Sequence, residues 1–153
     1  MTKLLRIAAV TVLAAGFATQ AASGASPSPG RALSAYLAKV RPFNRAVVAA
    51  EASWLKAKAH PKGNANNTNP SLNRKELVAT LLRTSSALKR IHPPATLKSA
   101  HEAFVSSLKL EARGADGSAN RLRSRWRNAV VAQLRSAGMA VPRWVKLVRD
   151  SLA

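Results

Sequence analysis

Apolar residues recur along most of this chain at alternating steps of three and four, the spacing that puts them on one face of an α-helix. Four long segments follow this pattern, at about residues 31–59, 70–91, 94–112 and 118–137, and a shorter one follows at about 142–152. No segment shows the two-residue alternation of a half-buried strand. The predicted stripes are Tyr36, Val40, Phe43, Val47, Ala50 and Trp54; Leu77, Leu81, Leu88 and Ile91, widened by Val78 and Leu82; Leu97, His101, Phe104 and Leu108; Leu122, Trp126, Val130 and Leu134; and Val141, Val145, Val148 and Leu152.

Proline, glycine and short polar residues indicate where these helices begin and end. Pro70 suits the first position of the second helix. Gly138 suits the residue just beyond the fourth helix, and Asp116 or Ser118 is expected to cap its start. Pro42 lies inside the first stripe, whose phase continues past it, so we expect one kinked helix there rather than two.

Amphipathic helices joined by short connections can bury their apolar faces only against one another. We therefore predict an all-α fold, an antiparallel four-helix bundle with a short fifth helix at its C-terminal end. At about 0.8 kcal/mol per buried methylene, the Leu, Val, Phe and Trp side chains suffice for a small domain of marginal stability.

The first 25 residues have the pattern of a secretory signal. Lys3 and Arg6 precede an apolar stretch at 7–18, and a run of small residues follows it. We expect export to the periplasm, the cell envelope or the medium, with a retained N-terminal anchor helix as the alternative. The chain has no cysteine, so we expect neither disulfides nor a lipid anchor.

Cleavage is expected after Ala25, with Ala21 and Ala22 as nearly equal alternatives, because small residues stand at the positions that a signal peptidase reads. The chain then divides into a signal peptide at 1–25, a flexible lead at 26–30 and a single helical-bundle domain at 31–153.

Charge is the most unusual property of the composition. Lys and Arg number 25 against 6 Asp and Glu, a formal net charge of +19. Loss of residues 1–25 would leave about +17, and such self-repulsion favours an anionic partner. The expected partners are an anionic envelope polymer, lipid head groups or an acidic protein, with nucleic acid a weaker option and no transmembrane span in the mature chain. The alternative is that the basic surface serves solubility alone.

The basic residues concentrate beside the fourth and fifth stripes. On a helix, Arg121 and Arg125 flank one side of the Leu122/Trp126 stripe, and Arg123 and Arg127 flank the other, as on a basic amphipathic helix. Arginine suits phosphate through its planar set of donors. The alternative is that these side chains only cover the rim of a bundle and point to water. The residues predicted to contact an anionic partner are Arg121, Arg123, Arg125, Arg127, Arg135, Arg143, Lys146 and Arg149.

Evidence for catalysis is lacking in the sequence. There is no glycine-rich phosphate loop, no nucleophile motif, and no histidine pair at metal-ligand spacing. We therefore expect a non-enzymatic protein with no cofactor and no metal. His101 lies on an apolar stripe, where it is expected to bond a backbone carbonyl freed near Pro93-Pro94 or Pro42, and Glu51 could face it or an arginine. A small-ligand or metal-sensing bundle, with an interior polar site at His101 and Glu51 beside Trp126, is the alternative function.

One further pattern is a resemblance. The chain carries Ile91-His92-Pro93-Pro94 with Leu97, His101 and Leu108, and then Trp126, Gly138, Val141-Pro142 and Trp144-Val145. It resembles small exported bacterial α-helical proteins of unassigned function, in which a Pro-Pro pair starts a helix that carries a histidine. The resemblance covers residues 88–148 and implies an extracytoplasmic bundle, often in a lipoprotein setting, with no activity to carry over. This chain lacks the lipobox cysteine, which puts membrane tethering in doubt.

Overall fold

A computed structural model of the chain describes residues 28–59 and 70–146, without the side chains of Pro70 and Leu72. These residues form an all-α structure, and none of them lies in a strand. The helices are α1 (Pro29–Ala59), α2 (Pro70–Leu88), α3 (Lys98–Ala112), α4 (Asp116–Ser136) and α5 (Arg143–Lys146), with a 3₁₀ turn at Ala95–Leu97 before α3.

The first helix begins two residues earlier than the pattern predicts. Pro29 is its first residue, where the missing proline N–H costs no hydrogen bond, and the Ser28 carbonyl accepts from the Ala32 N–H at 3.0 Å. The flexible lead expected at 26–30 is therefore helical from Pro29 onward. The helix continues through Pro42 as a single element, as expected.

The second helix begins at Pro70, as predicted, but ends at Leu88, before the expected boundary at His92. After α2 the chain makes a tighter turn, in which the Ile91 N–H donates to the carbonyl of Leu88, three residues back, at 2.9 Å. The Pro93-Pro94 pair is followed by the 3₁₀ turn, so the α-helical part of the third segment starts at Lys98, later than predicted.

Two glycines end helices in the left-handed conformation. Gly114 follows α3 with φ 81°, and Gly138 follows α4 with φ 65°. Beyond α4 the Gly138 N–H donates to the Arg135 carbonyl and the Met139 N–H to the Leu134 carbonyl, the bond pair of a Schellman motif. The predicted side-chain cap of α4 is wrong, because Asp116 is already helical and the cap residue Ala115 makes no side-chain bond.

The core is centred on aromatic residues. Trp126 on α4 is fully buried and stacks on Phe104 of α3, with ring centroids 4.6 Å apart and planes 20° from parallel. A stacked aromatic pair contributes about 1 kcal/mol beyond the area that it buries. The prediction that Leu82 widens the second stripe is wrong, since it is 48% exposed.

Each described helix packs on its neighbour in sequence, and long side chains join α1 to α4. In the described segments, none of the helices has the length and hydropathy needed to span a membrane. The predicted signal peptide and the predicted end of the fifth helix, including Val148, Arg149 and Leu152, lie outside the described residues.

Candidate functional site

Three ionisable side chains from three helices meet in the interior. Arg123 on α4 donates from Nη1 to Glu51 Oε1 on α1 at 2.8 Å, and from Nη2 to Glu111 Oε2 on α3. Arg123 is 4% exposed, Glu51 2% and Glu111 1%. We call these three residues the buried triad.

Helical spacing brings the buried triad together. Glu51 lies four residues after Val47, and Glu111 lies three residues after Leu108, so each acid continues an apolar stripe. Arg123 lies three residues before Trp126 and points the same way. Each of the three helices therefore contributes one charged side chain to a stripe whose other residues are apolar.

The buried triad carries two acids against one base. If both were ionised, a net negative charge would remain in the interior, which is costly in a low dielectric. Burial raises the pKa of Glu111 to about 7; the Arg123 charge opposes this rise, and the charge and hydrogen bond of Glu51 add to it. A hydrogen bond between two carboxyl groups needs a proton on one of them, so Glu111 can hold the proton that neutralises the cluster.

A second polar cluster is a chain of neutral hydrogen bonds. Trp126 Nε1 donates to Tyr36 Oη at 2.9 Å. Tyr36 Oη lies 3.0 Å from His101 Nδ1, and His101 Nε2 lies 3.0 Å from the Leu88 carbonyl oxygen. A carbonyl only accepts, so Nε2 carries the proton, Nδ1 accepts, and the tyrosine hydroxyl donates to it.

This direction of bonding keeps the chain neutral. Burial lowers the pKa of His101, against the opposing effects of the Leu88 carbonyl and Glu102. Burial raises the pKa of Tyr36 to about 12, and the bond from Trp126 opposes that rise. Both imidazole nitrogens are used, which leaves His101 no lone pair for a metal.

The structure places the two predicted interior residues in separate clusters. Glu51 bonds to Arg123, and His101 bonds to Tyr36 and to the carbonyl of Leu88. The expectation that Glu51 faces an arginine is confirmed. His101 bonds a backbone carbonyl, as expected, but the acceptor is Leu88 at the end of α2 and not a carbonyl freed by Pro93, Pro94 or Pro42. The structure does not bring Glu51 and His101 to one shared site.

The predicted surface position of Arg123 is wrong. The spacing of Leu122, Trp126 and Val130 suggested that Leu122 lies in the core and Arg123 beside it. The buried positions of α4 are instead Ala119, Arg123, Trp126, Val130 and Leu134, and Leu122 is half-buried at the edge. Arg123 occupies the central position because two buried carboxylates pair with it there.

The other predicted basic residues of α4 lie outside the core. Arg121, Arg125 and Arg135 are exposed, and at about 100° per residue they fall within an arc of roughly 80°. Arg121 donates to Ser118 Oγ at 2.9 Å, and Arg125 to Ser99 Oγ at 3.2 Å. We call Arg121, Arg125 and Arg135 the α4 flank. Arg127, the fourth predicted residue here, is half-buried.

A basic cavity borders α5. Arg143 and Lys146 are exposed, as predicted, while Arg149 lies outside the described residues. Pro142, Arg143 and the half-buried Trp144 line a cavity of about 460 Å³ together with Arg41 of α1. Sequence reasoning missed Arg41, because its distance along the chain gives no sign that it lies beside α5.

Within the described part of the chain, no three His, Asp or Glu side chains are arranged to hold a metal ion. The chain matches no family model, and comparison with curated proteins and with solved structures finds no match. The resemblance to small exported bacterial proteins therefore stays a prediction.

Proposed function

We propose that this protein is an exported, non-enzymatic basic helical protein that binds anionic envelope material, either a polymer, lipid head groups or an acidic partner protein. Its binding groups are the α4 flank together with Arg143 and Lys146. Arg127 and Arg149 complete the proposed surface.

The positions of the acidic residues support this proposal. Only 6 acidic residues stand against 25 basic ones, and two of the acids, Glu51 and Glu111, are buried on Arg123. Burial withdraws two acids and one base from the surface. The surface therefore carries a larger excess of positive over negative charge than composition alone indicates. An anionic partner would relieve the repulsion between the exposed basic side chains.

Arginine geometry favours phosphate or carboxylate groups as the contact points. The α4 flank presents three guanidinium groups from one helix face, each with planar donors that match two oxygens of one anion. Arg41 and Arg143 add two more beside the indole of Trp144. The alternative, a rim of arginines that serves solubility, predicts no difference between these residues and other exposed cations.

The proposal includes the finer architecture. α1 to α4 form an antiparallel four-helix bundle, closed at one end by the fifth helix and preceded by a signal peptide. Supporting contacts join Tyr36 to Trp126 and Glu51 to Arg123, so residues later in α1 meet residues earlier in α4. Gly30, at the start of α1, lies beside Met139, just after α4.

Co-sedimentation with vesicles tests the binding. The protein should sediment with vesicles that contain phosphatidylglycerol and not with phosphatidylcholine alone, and it should be retained by a polyphosphate resin. Replacing Arg121, Arg125 and Arg135 with glutamine should weaken retention more than the matched variant with Arg31, Arg45 and Arg83 replaced. Equal retention on neutral and anionic surfaces, or equal loss in the two variants, contradicts the proposal.

Fractionation tests the export. The protein recovered from envelope or medium should lack its first 21, 22 or 25 residues by mass spectrometry. Recovery of the uncleaved chain from the cytosol contradicts this part of the proposal and leaves the binding test unaffected.

A further inference from the structure

A second cavity lies beside α3 and is lined by residues other than those of the α4 flank. Its volume is about 300 Å³, and it lies between the turn after α2 and the exposed face of α3. Lys98, Glu102, Ser106 and Lys109 contribute from α3 at steps of four, four and three, so they share one face. Lys89 closes the cavity from the end of α2.

The lysines that line this cavity are crowded. Lys89 and Lys109 both line the cavity. The nearby Lys89 side chain and its charge lower the pKa of Lys109, and desolvation and the charge of Arg113 add to the effect. Two ammonium groups side by side repel one another unless an anion lies between them. Of the described residues that line the cavity, Glu102 is the only acid, against the bases Lys89, Lys98 and Lys109.

The wall of the cavity is partly apolar. Pro93 and the buried Val105 line it, and the ring of His101 borders it. Both His101 nitrogens are bonded within the protein, to Tyr36 and to the Leu88 carbonyl, so the imidazole offers a ring edge and not a free donor. The cavity therefore combines a cationic rim with an apolar wall.

We propose that this cavity binds a small phosphomonoester that carries one apolar ring or a short apolar group. The phosphate lies between Lys89 and Lys109, where the Ser106 hydroxyl is a further donor, and the apolar group packs on Pro93 and Val105. A tetrahedral anion has enough free oxygens to accept from two ammonium groups and a hydroxyl at once. The volume is at the lower end of the range for ligand pockets and suits one ring.

Titration of the labelled protein by NMR tests this site with three probes: phenyl phosphate, inorganic phosphate and benzyl alcohol. Phenyl phosphate should saturate a single site, with shifts confined to residues 89–109, and should raise the pKa of Lys109. Inorganic phosphate should bind more weakly at the same place, and benzyl alcohol should produce no saturable shift. If phenyl phosphate gives no saturation, or shifts α4 instead, the proposal is wrong.

Paired variants separate the site from general charge effects. Replacing Lys89 and Lys109 with glutamine should lower the affinity for phenyl phosphate by about tenfold or more, because two charge-assisted hydrogen bonds are lost. Replacing the exposed Lys39 and Lys75, which makes the same change in net charge, should alter it less than about twofold. Equal losses in the two variants overturn the proposal. Vesicle binding by the α4 flank should be the same in both, so failure of either proposal is recognised separately.

Discussion

Replacing Arg123 with methionine tests the buried triad directly. Methionine keeps a long, flexible side chain of suitable volume but removes the guanidinium that bonds Glu51 Oε1 at 2.8 Å and Glu111 Oε2. Both acids are almost completely buried, so neither can recover its lost partner from water. We expect a folded but strongly destabilised protein.

The magnitude follows from the burial of the three groups. Removing one partner of a buried ion pair costs about 3–5 kcal/mol, because the remaining charge stays desolvated. Here two carboxyl groups lose the same partner, and one of them can take up a proton, which places the loss within that range and not at twice its value. Against a total of about 5–15 kcal/mol for a domain, this is a large fraction.

Urea unfolding followed by circular dichroism measures the change at two pH values. The loss should be largest near pH 8 and should shrink toward pH 5, because Glu111, whose pKa burial raises to about 7, takes up a proton over this range. His101 titrates in both proteins and cancels in the difference. The matched control is Arg135→Met, an exposed arginine of the same helix, which should change the free energy of unfolding by less than about 0.5 kcal/mol. A loss below about 1 kcal/mol, or one that is independent of pH, would show that Arg123 does not stabilise the two buried acids.

Three other changes test the interior and the helix ends. The pKa of Glu111 is raised from 4.5 to about 7, so its contribution to stability is full below pH 4.5 and is lost as the pH rises to 7. Glu111→Gln should therefore flatten the pH dependence of the free energy of unfolding by on the order of 3 kcal/mol. An unchanged pH profile in this variant contradicts the prediction. The contribution of His101 to stability has the opposite pH dependence. Its pKa is lowered, so the contribution is full above pH 6.5 and declines as the pH falls below that value. Nitrogen NMR should show a neutral ring with the proton on Nε2, and a proton on Nδ1 would contradict the bonding direction. Gly138→Ala should cost about 1 kcal/mol by thermal unfolding because φ is 65° there, whereas Gly117→Ala within α4 should be neutral or stabilising; equal effects would contradict the assignment.

The helical class and most helix positions could be predicted from the sequence because local rules decide them. Pro70 starts a helix and Gly138 follows one for reasons contained in a few residues. The end of α2 was harder to place, because the carbonyl of Leu88 is satisfied partly by His101, a residue from another helix. The spacing of residues within one helix does not predict such a contact between helices.

The positions of the two acids in the buried triad can be explained from the sequence, but their pairing with Arg123 cannot. Glu51 and Glu111 stand at stripe spacing, and that spacing alone predicts burial. The spacing of Leu122, Trp126 and Val130 placed Arg123 beside the stripe of α4, and a single charge in a core is costly. The cost is offset only when partners from α1 and α3 converge, and that convergence is a property of tertiary packing.

The cavity beside Lys89 and Lys109 was also outside the reach of sequence reasoning. The two lysines are separated by 20 positions and belong to different elements, so only the fold shows that they meet. The exposure of Arg121, Arg125 and Arg135, in contrast, was predictable from their position beside an apolar stripe.

The proposed function requires that the cationic surface bind an anionic partner through the α4 flank. The most direct test is the affinity for phosphatidylglycerol vesicles measured across a series of salt concentrations. The logarithm of the binding constant should fall linearly with the logarithm of salt. Replacing the three flank arginines with glutamine should reduce the slope by about 3, since each lost contact releases about one counterion fewer. A slope near zero for the natural protein, or the same slope in the variant, would show that the α4 flank does not bind the anionic surface.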